Sequence, residues 1–162
     1  KGDETFPGLR LVQGNGMNLP FHDDSFNGVI AECSLSTMSD PARVLTEIKR
    51  ILIPGGKLAI SDVYIRQPDK TVSSGNFQAG WCLHGALIYD EIINMLNNSG
   101  FNIILWEDHS NLWKEFVAGL ILNNFSVFEI LACSSSAEKG IEVLTSSLSK
   151  AKPGYFCLIA GK

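Results

Sequence analysis

Two cysteines stand where a thiol could do chemistry rather than fill a core. Cys33 closes the apolar run Asn27 to Cys33, and Cys82 sits in a polar stretch between apolar segments. A thiolate is both a nucleophile and a soft ligand, so such a pair could hold a soft acceptor. Asp62 and Tyr64 end a second apolar run and are expected to face the same crevice. Asp62 could orient an acceptor, act as a base, or cap the loop that follows. Glu107-Asp108-His109 has the composition of an acid–base cluster, yet Asp108 or Ser110 also reads as the N-cap of a helix starting near Leu112. Cys133, beside Ser134, could supply a third thiol. Cys157, in a wholly apolar run, reads as core, and His22 reads as a surface turn residue. The cysteines at 33, 82, 133 and 157 have no C-x-x-C spacing, so no metal site is expected.

The elements that must position these groups alternate between strand and helix. Leu9 to Gln13 is a short β-prone run, and Asn27 to Cys33 follows the turn His22-Asp23-Asp24-Ser25 as a buried strand. Asp40-Pro41 is a strong helix start, because the proline's missing N–H is not needed there. Val44, Leu45, Ile48 and Leu52 then recur on one face. Pro54-Gly55-Gly56 stops that helix, and Lys57 to Ile65 reads as a buried strand. Residues 66–85 read as a long loop. Asp90 and Glu91 open a helix carrying Ile92, Ile93 and Leu96, closed at Gly100. Phe101 to Trp106 is the next strand, and Leu112, Phe116, Val117, Leu120 and Ile121 stripe the next helix. Ser135-x-x-Glu138 resembles a capping box before Ile141, Leu144 and Leu148. Tyr155 to Ala160 suits a central strand. Cys33 therefore falls at the carboxyl end of a parallel strand, where ligands bind in open α/β sheets.

Composition narrows the partners. With 162 residues, 45% of them hydrophobic, one core and a single domain over 1–162 are expected. A net charge of −4 without a basic stripe argues against nucleic acid. No apolar run reaches the ~18 residues of a membrane span. The scattered cysteines suit a reducing cytosol, so a cytoplasmic location is expected.

Three stretches in order carry a resemblance: Gly14-Asn15-Gly16-Met17-Asn18-Leu19-Pro20-Phe21, then Asp24-Ser25-Phe26, then Glu47 to Lys57 with its Pro54-Gly55-Gly56. They resemble G-D-A-x-x-L-P-F, D-x-S-F-D and E-x-x-R-V-L-K-P-G-G of the class I S-adenosylmethionine-dependent methyltransferases. A narrower likeness is to the arsenite methyltransferases, at Glu32-Cys33-Ser34, Ser61-Asp62-Val63-Tyr64 and Cys82-Leu83-His84-Gly85-Ala86-Leu87. By position, Cys33 and Cys82 match the two cysteines that hold trivalent arsenic there. Glu32, Ser34 and His84 depart from that family's asparagine, valine and glycine, so a quinone-type or other organic acceptor stays open, as does a non-catalytic binding fragment.

The resemblance implies a Rossmann-like α/β sheet of strand order 3-2-1-4-5-7-6 with the last strand antiparallel. It also implies S-adenosylmethionine as cofactor, Asn15, Gly16, Met17 and Glu32 on the cofactor side, and Cys33, Cys82 and Asp62 on the acceptor side. Asn15 stands where the family has an aspartate that bonds the adenine amino group, and an amide oxygen can accept the same bond. The first two strands of that sheet are not expected here, since no D-x-G-x-G-x-G loop occurs in the sequence. The fourth strand would then be an apolar edge, open to pairing in a homodimer. Without that loop the 162-residue chain is expected to be inactive and to bind S-adenosylmethionine weakly. Titration calorimetry should show no micromolar binding, and micromolar affinity would contradict this reading.

Overall fold

The computed structural model describes residues 10–66, 85–123 and 152–162. They form β1 (Phe26–Glu32), a 3-10 turn (Leu35–Thr37), α1 (Pro41–Ile51), β2 (Leu52–Ile65), α2 (Tyr89–Asn98), β3 (Asn102–Asp108), α3 (Ser110–Leu122) and β4 (Pro153–Gly161). The strands make one sheet in the order β1-β2-β4-β3. β1 is parallel to β2, and β4 is antiparallel to both β2 and β3. This is the 4-5-7-6 order expected, with the last strand inserted antiparallel. β1, β2 and β3 thus finish at one end of the sheet, and β4 begins there.

Each helix covers the sheet for a reason legible in its residues. Asp40 caps α1 by accepting the Arg43 N–H at 3.0 Å, with Pro41 in the first turn. Val44, Leu45, Ile48 and Ile51 are its buried face. Glu91 reaches back to the Ile88 N–H at 3.1 Å to start α2, which buries Ile92 and Leu96. These side chains pack on Leu58, Ile60 and Tyr64 of β2 and on Phe156 and Leu158 of β4. Trp106 stacks on Phe156 with ring centroids 4.4 Å apart, and Tyr64 meets both edge-on. The opposite face carries a second, smaller cluster of Val63, Ile65 and Ala86, against which Trp113 and Tyr155 pack.

Two expectations are corrected. Arg10–Gly14 is not a strand, and Leu11 and Val12 are 65% and 56% exposed. A short β-prone run has no stability without a neighbour to pair with, and none is found among the described residues. Pro54-Gly55-Gly56 does not divide helix from strand. The helix ends at Ile51 and β2 starts at once, with Ile53 to Gly56 bulging out between the Phe26↔Leu52 and Gly28↔Lys57 pairs. Gly55, at φ +80, takes the left-handed turn the bulge requires. The reading of Ile141, Leu144 and Leu148 as a helix lies outside the described residues. Among those residues β1 is an edge, with Ile30 74% exposed.

The loop before β1 is bolted to α1 by the Glu47 and Arg50 side chains. Arg50 pairs with Glu47 at 2.9 Å and with Asp23 at 2.6 Å, and donates to the Leu19 and Phe21 carbonyls. Glu47 also accepts the Leu19 N–H at 2.9 Å. The Arg50 guanidinium and that amide pull the Glu47 carboxyl from 4.5 down to about 2. A lowered folded-state pKa stabilises the fold above the unfolded value and loses that stabilisation as pH falls. Stability is therefore expected to drop between pH 4.5 and about 2, and Glu47→Gln should flatten that part of the profile. Urea midpoints measured across this window check it.

Candidate functional site

The carboxyl ends of the three parallel strands converge on a pocket. Cys33 lies just past β1, in the left-handed region at φ +45, its N–H donating to the Ser61 carbonyl at 2.8 Å. This turn leaves the thiol exposed and puts Sγ 3.3 Å from the Tyr155 hydroxyl, 122 residues along the chain. Past β3, the His109 N–H donates to the Tyr155 carbonyl at 2.8 Å, and the Tyr155 N–H donates to Ser110 Oγ at 3.3 Å. Asp108 accepts from both the Ser110 N–H and its hydroxyl and so occupies the first N–H of α3, which starts at Ser110 rather than near Leu112. Cys33, His109, Leu112, Trp113, Phe116 and Tyr155 line an open pocket of about 410 Å³. That volume falls in the ~300–1,000 Å³ range of small-molecule sites.

The walls are apolar and the polar groups few. Leu112 and Phe116 stay 60% and 51% exposed, although the helical stripe predicted them inward. Burial, then the contact with Cys33, pushes the Tyr155 phenol up to about 12, so it remains a donor at neutral pH. His109 Nε2 lies 3.1 Å from Glu107 Oε2. Glu107 belongs to a row of side chains across one sheet face: Glu32, Ser61, Cys157 and Glu107, in register on β1, β2, β4 and β3. No group of three potential metal ligands occurs among the described residues.

Residues 1–60 match the family model described as a methyltransferase domain. The chain is 35% identical over 89 residues to an arsenite methyltransferase of Halobacterium salinarum, covering 54% of this chain and 22% of that protein. It is 35% identical over 102 residues to the O-methyltransferase rstn1 of Aspergillus nomiae, covering 62% and 45%. Over 54 residues it is 44% identical to a demethylmenaquinone methyltransferase of Listeria welshimeri, covering 33% and 23%. The chain thus spans less than half the length of these curated relatives. Among solved structures, a putative methyltransferase of Bacillus halodurans superposes with a TM-score of 0.65 at 20% identity, covering 93% of this chain and 70% of that one. The [4+2]-cyclase SpnF superposes at 0.60 and 24% identity, covering 92% and 55%. The described residues thus have the Rossmann-like fold of the class I methyltransferases, and residues 1–60 carry the likeness to a methyltransferase domain.

The residues singled out by sequence have separate fates. Asp62 does not face the crevice. It is 1% exposed and accepts from the Ser36 N–H at 2.9 Å, the Ser36 hydroxyl at 2.7 Å and the Val63 N–H at 2.8 Å. A carboxylate so enclosed fastens the 3-10 turn to β2. Tyr64 is likewise buried, among aromatic rings. Asn15 is exposed, and Oδ1 accepts the Met17 N–H at 2.9 Å in a turn closed by the Asn18 N–H to the Asn15 carbonyl. Gly16 lies flat on α1, where a Cβ would meet Val44 Cγ2 at 3.3 Å. Met17 Sδ accepts from Ser39 Oγ at 3.8 Å, which ties this turn to the segment following Cys33. Glu32 is exposed at the end of β1. Cys157 is half-buried in β4. Cys82, His84 and Cys133 lie outside the described residues.

Trp113 and Tyr155 are the pocket residues that sequence reasoning missed, whereas His109 was singled out there only as part of the Glu107-Asp108-His109 cluster. The available signal was α3 itself, whose Leu112, Trp113, Phe116 and Val117 make too broad an apolar surface for one buried stripe. The position of Asp62 leads to a stability prediction. Asp62→Ala leaves the Ser36 N–H and hydroxyl buried without an acceptor and should cost about 2–4 kcal/mol. Chemical denaturation measures it, and a loss under ~0.5 kcal/mol would contradict the structural role given to this carboxylate.

Proposed function

We propose that this chain forms the acceptor side of an S-adenosylmethionine-dependent methyltransferase acting on a small, largely apolar molecule bound in the Cys33–His109–Tyr155 pocket. The observation that carries this reading is the cavity itself, apolar-walled and set where three parallel strands end. Bound S-adenosylmethionine supplies an electrophilic methyl group. The chain's own part is to orient the acceptor and exclude water.

The residues present fit the adenosine side of that cofactor. Asn15 Oδ1 has used one lone pair on Met17 and keeps a second for an amino group. Gly16, without a Cβ, lets the turn lie close to α1. Met17 packs beside it against the core, and the exposed Glu32 carboxylate can accept from hydroxyls. On the acceptor side, Leu112, Trp113 and Phe116 provide apolar walls, and Cys33, His109 and Tyr155 bring the polar groups of the lining.

A second reading keeps trivalent arsenic as the substrate. It is supported by the exposed thiol of Cys33 in this pocket and by the arsenite methyltransferases among the relatives. Labelled methyl transfer by the protein containing this chain, offered apolar organic acceptors and arsenite in parallel, separates the two. With an organic acceptor, Leu112→Trp should fill the pocket and lower kcat/KM at least ~10-fold, while Cys33→Ser changes it less than ~3-fold. With a thiol-held acceptor, Cys33→Ser should abolish transfer. Full activity in Leu112→Trp toward every acceptor would sink the pocket assignment.

A further inference from the structure

We infer that Tyr155 is a positioning residue for the Cys33 thiol: its hydroxyl donates to Sγ, holds the sulfur at the pocket and sustains its reactivity toward soft electrophiles. The inference rests on the pocket reading above and deepens it by naming what controls the thiol of that lining.

Cys33 holds φ +45, in the left-handed region where a residue with a Cβ is uncommon. A glycine or an asparagine would hold the same turn at lower cost. The Cys33 N–H is fixed to the Ser61 carbonyl at 2.8 Å, so the turn sets the direction of Cβ, and Sγ meets the Tyr155 hydroxyl at 3.3 Å. A cysteine that serves as a small hydrophobe is buried, whereas this one is exposed.

The direction of the proton follows from the neighbours of the phenol. Burial, then the sulfur contact, pushes Tyr155 up to about 12, so it keeps its proton through the neutral range. The Ser61 side chain reaches the same phenol and acts in the opposite sense, as a group that donates to its oxygen does. An oxygen that accepts from Ser61 has its own O–H free for Cys33. The backbone on either side of the ring is tied down. The Tyr155 carbonyl accepts from the His109 N–H at 2.8 Å, and the Tyr155 N–H donates to Ser110 Oγ at 3.3 Å. The donor therefore stands still, and the thiol is what it holds.

The consequence is chemical. A thiolate is the form that attacks an electrophile or binds a soft ligand. A hydrogen bond to a charged acceptor is about twice as strong as one to a neutral acceptor, so the phenol O–H favours the form that reacts. The same bond makes that form a weaker nucleophile, but nucleophilicity follows proton affinity with a slope of only about 0.4–0.5, and the first effect wins. In alkylation by iodoacetamide the thiol proton passes to buffer and a sulfur–carbon bond forms. The carbon–iodine bond breaks with its electron pair on the departing iodide.

Alkylation of the unaltered chain by iodoacetamide near neutral pH, followed at the Cys33 peptide by mass spectrometry, tests this. Tyr155→Phe should leave Cys33 about 3-fold slower: about tenfold less thiolate for one lost charge-assisted bond, offset by about 3-fold greater nucleophilicity. The rate at Cys157 should not change. Ser61→Ala, which keeps the phenol in place, should slow Cys33 less than Tyr155→Phe does. The S–H stretching band that disappears in Cys33→Ser should shift in Tyr155→Phe, a signature of the hydrogen bond itself. An unmoved band overturns the inference. So does a rate at Cys33 that is unchanged or faster in Tyr155→Phe, because releasing a thiol held by packing alone exposes it further. Saturating indole separates this result from the pocket reading, which requires it to protect Cys33 in the unaltered chain. Protection without an effect of Tyr155→Phe removes the role of the tyrosine and leaves the pocket standing. A 3-fold effect without protection contradicts the pocket reading and leaves control of the thiol by Tyr155 standing.

Discussion

The reversed direction of β4 is the constraint on which the site depends. Because this strand runs antiparallel between β2 and β3, its first residues lie where the other strands finish. Tyr155 therefore meets Cys33 across 122 residues of sequence, and its backbone locks onto His109 and Ser110. A parallel β4 would place Tyr155 at the far end and leave the pocket without one wall. The ladder that holds it is long, pairing Lys57 through Ile65 with Gly161 through Pro153. The position of the phenol is consequently set by many backbone bonds rather than by its own contacts.

Around that frame, two charged groups work as fasteners rather than as reactants. Asp62 ties the 3-10 turn after Cys33 to β2, and Glu47 with Arg50 ties the loop before β1 to α1. Both lie close to the carboxyl end or entry of β1, the strand that is at the sheet edge among the described residues. A strand paired on one side only needs such anchoring if the residues that follow it are to hold a defined turn. The left-handed backbone at Cys33 is that turn, and it aims the thiol at Tyr155.

Much of the architecture was legible from residue pattern. Asp40-Pro41, the stripe of Val44, Leu45 and Ile48, and the apolar run before Gly161 each predict one element by local chemistry alone, and the structure contains all three. The family resemblance supplied the order of the strands, which local pattern does not encode. What failed did so where distant residues decide. Leu9 to Gln13 has strand propensity and no described partner. Asp62 looks like a reactive carboxylate until Ser36 encloses it. The walls of the pocket were hidden because an exposed Phe116 and a buried one produce the same helical stripe, and His109 was masked by the capping role of its neighbour Asp108.

The most direct test of the account is a nuclear magnetic resonance titration of the chain with a small, uncharged aromatic ligand. Resonances of Cys33, His109, Leu112, Trp113, Phe116 and Tyr155 should shift together with one saturating affinity. Those of the groove between α1 and α2, around Thr46 and Asn94, should stay in place. Shifts centred on that groove, or none in the Cys33–Tyr155 pocket, would contradict the assignment of the acceptor site.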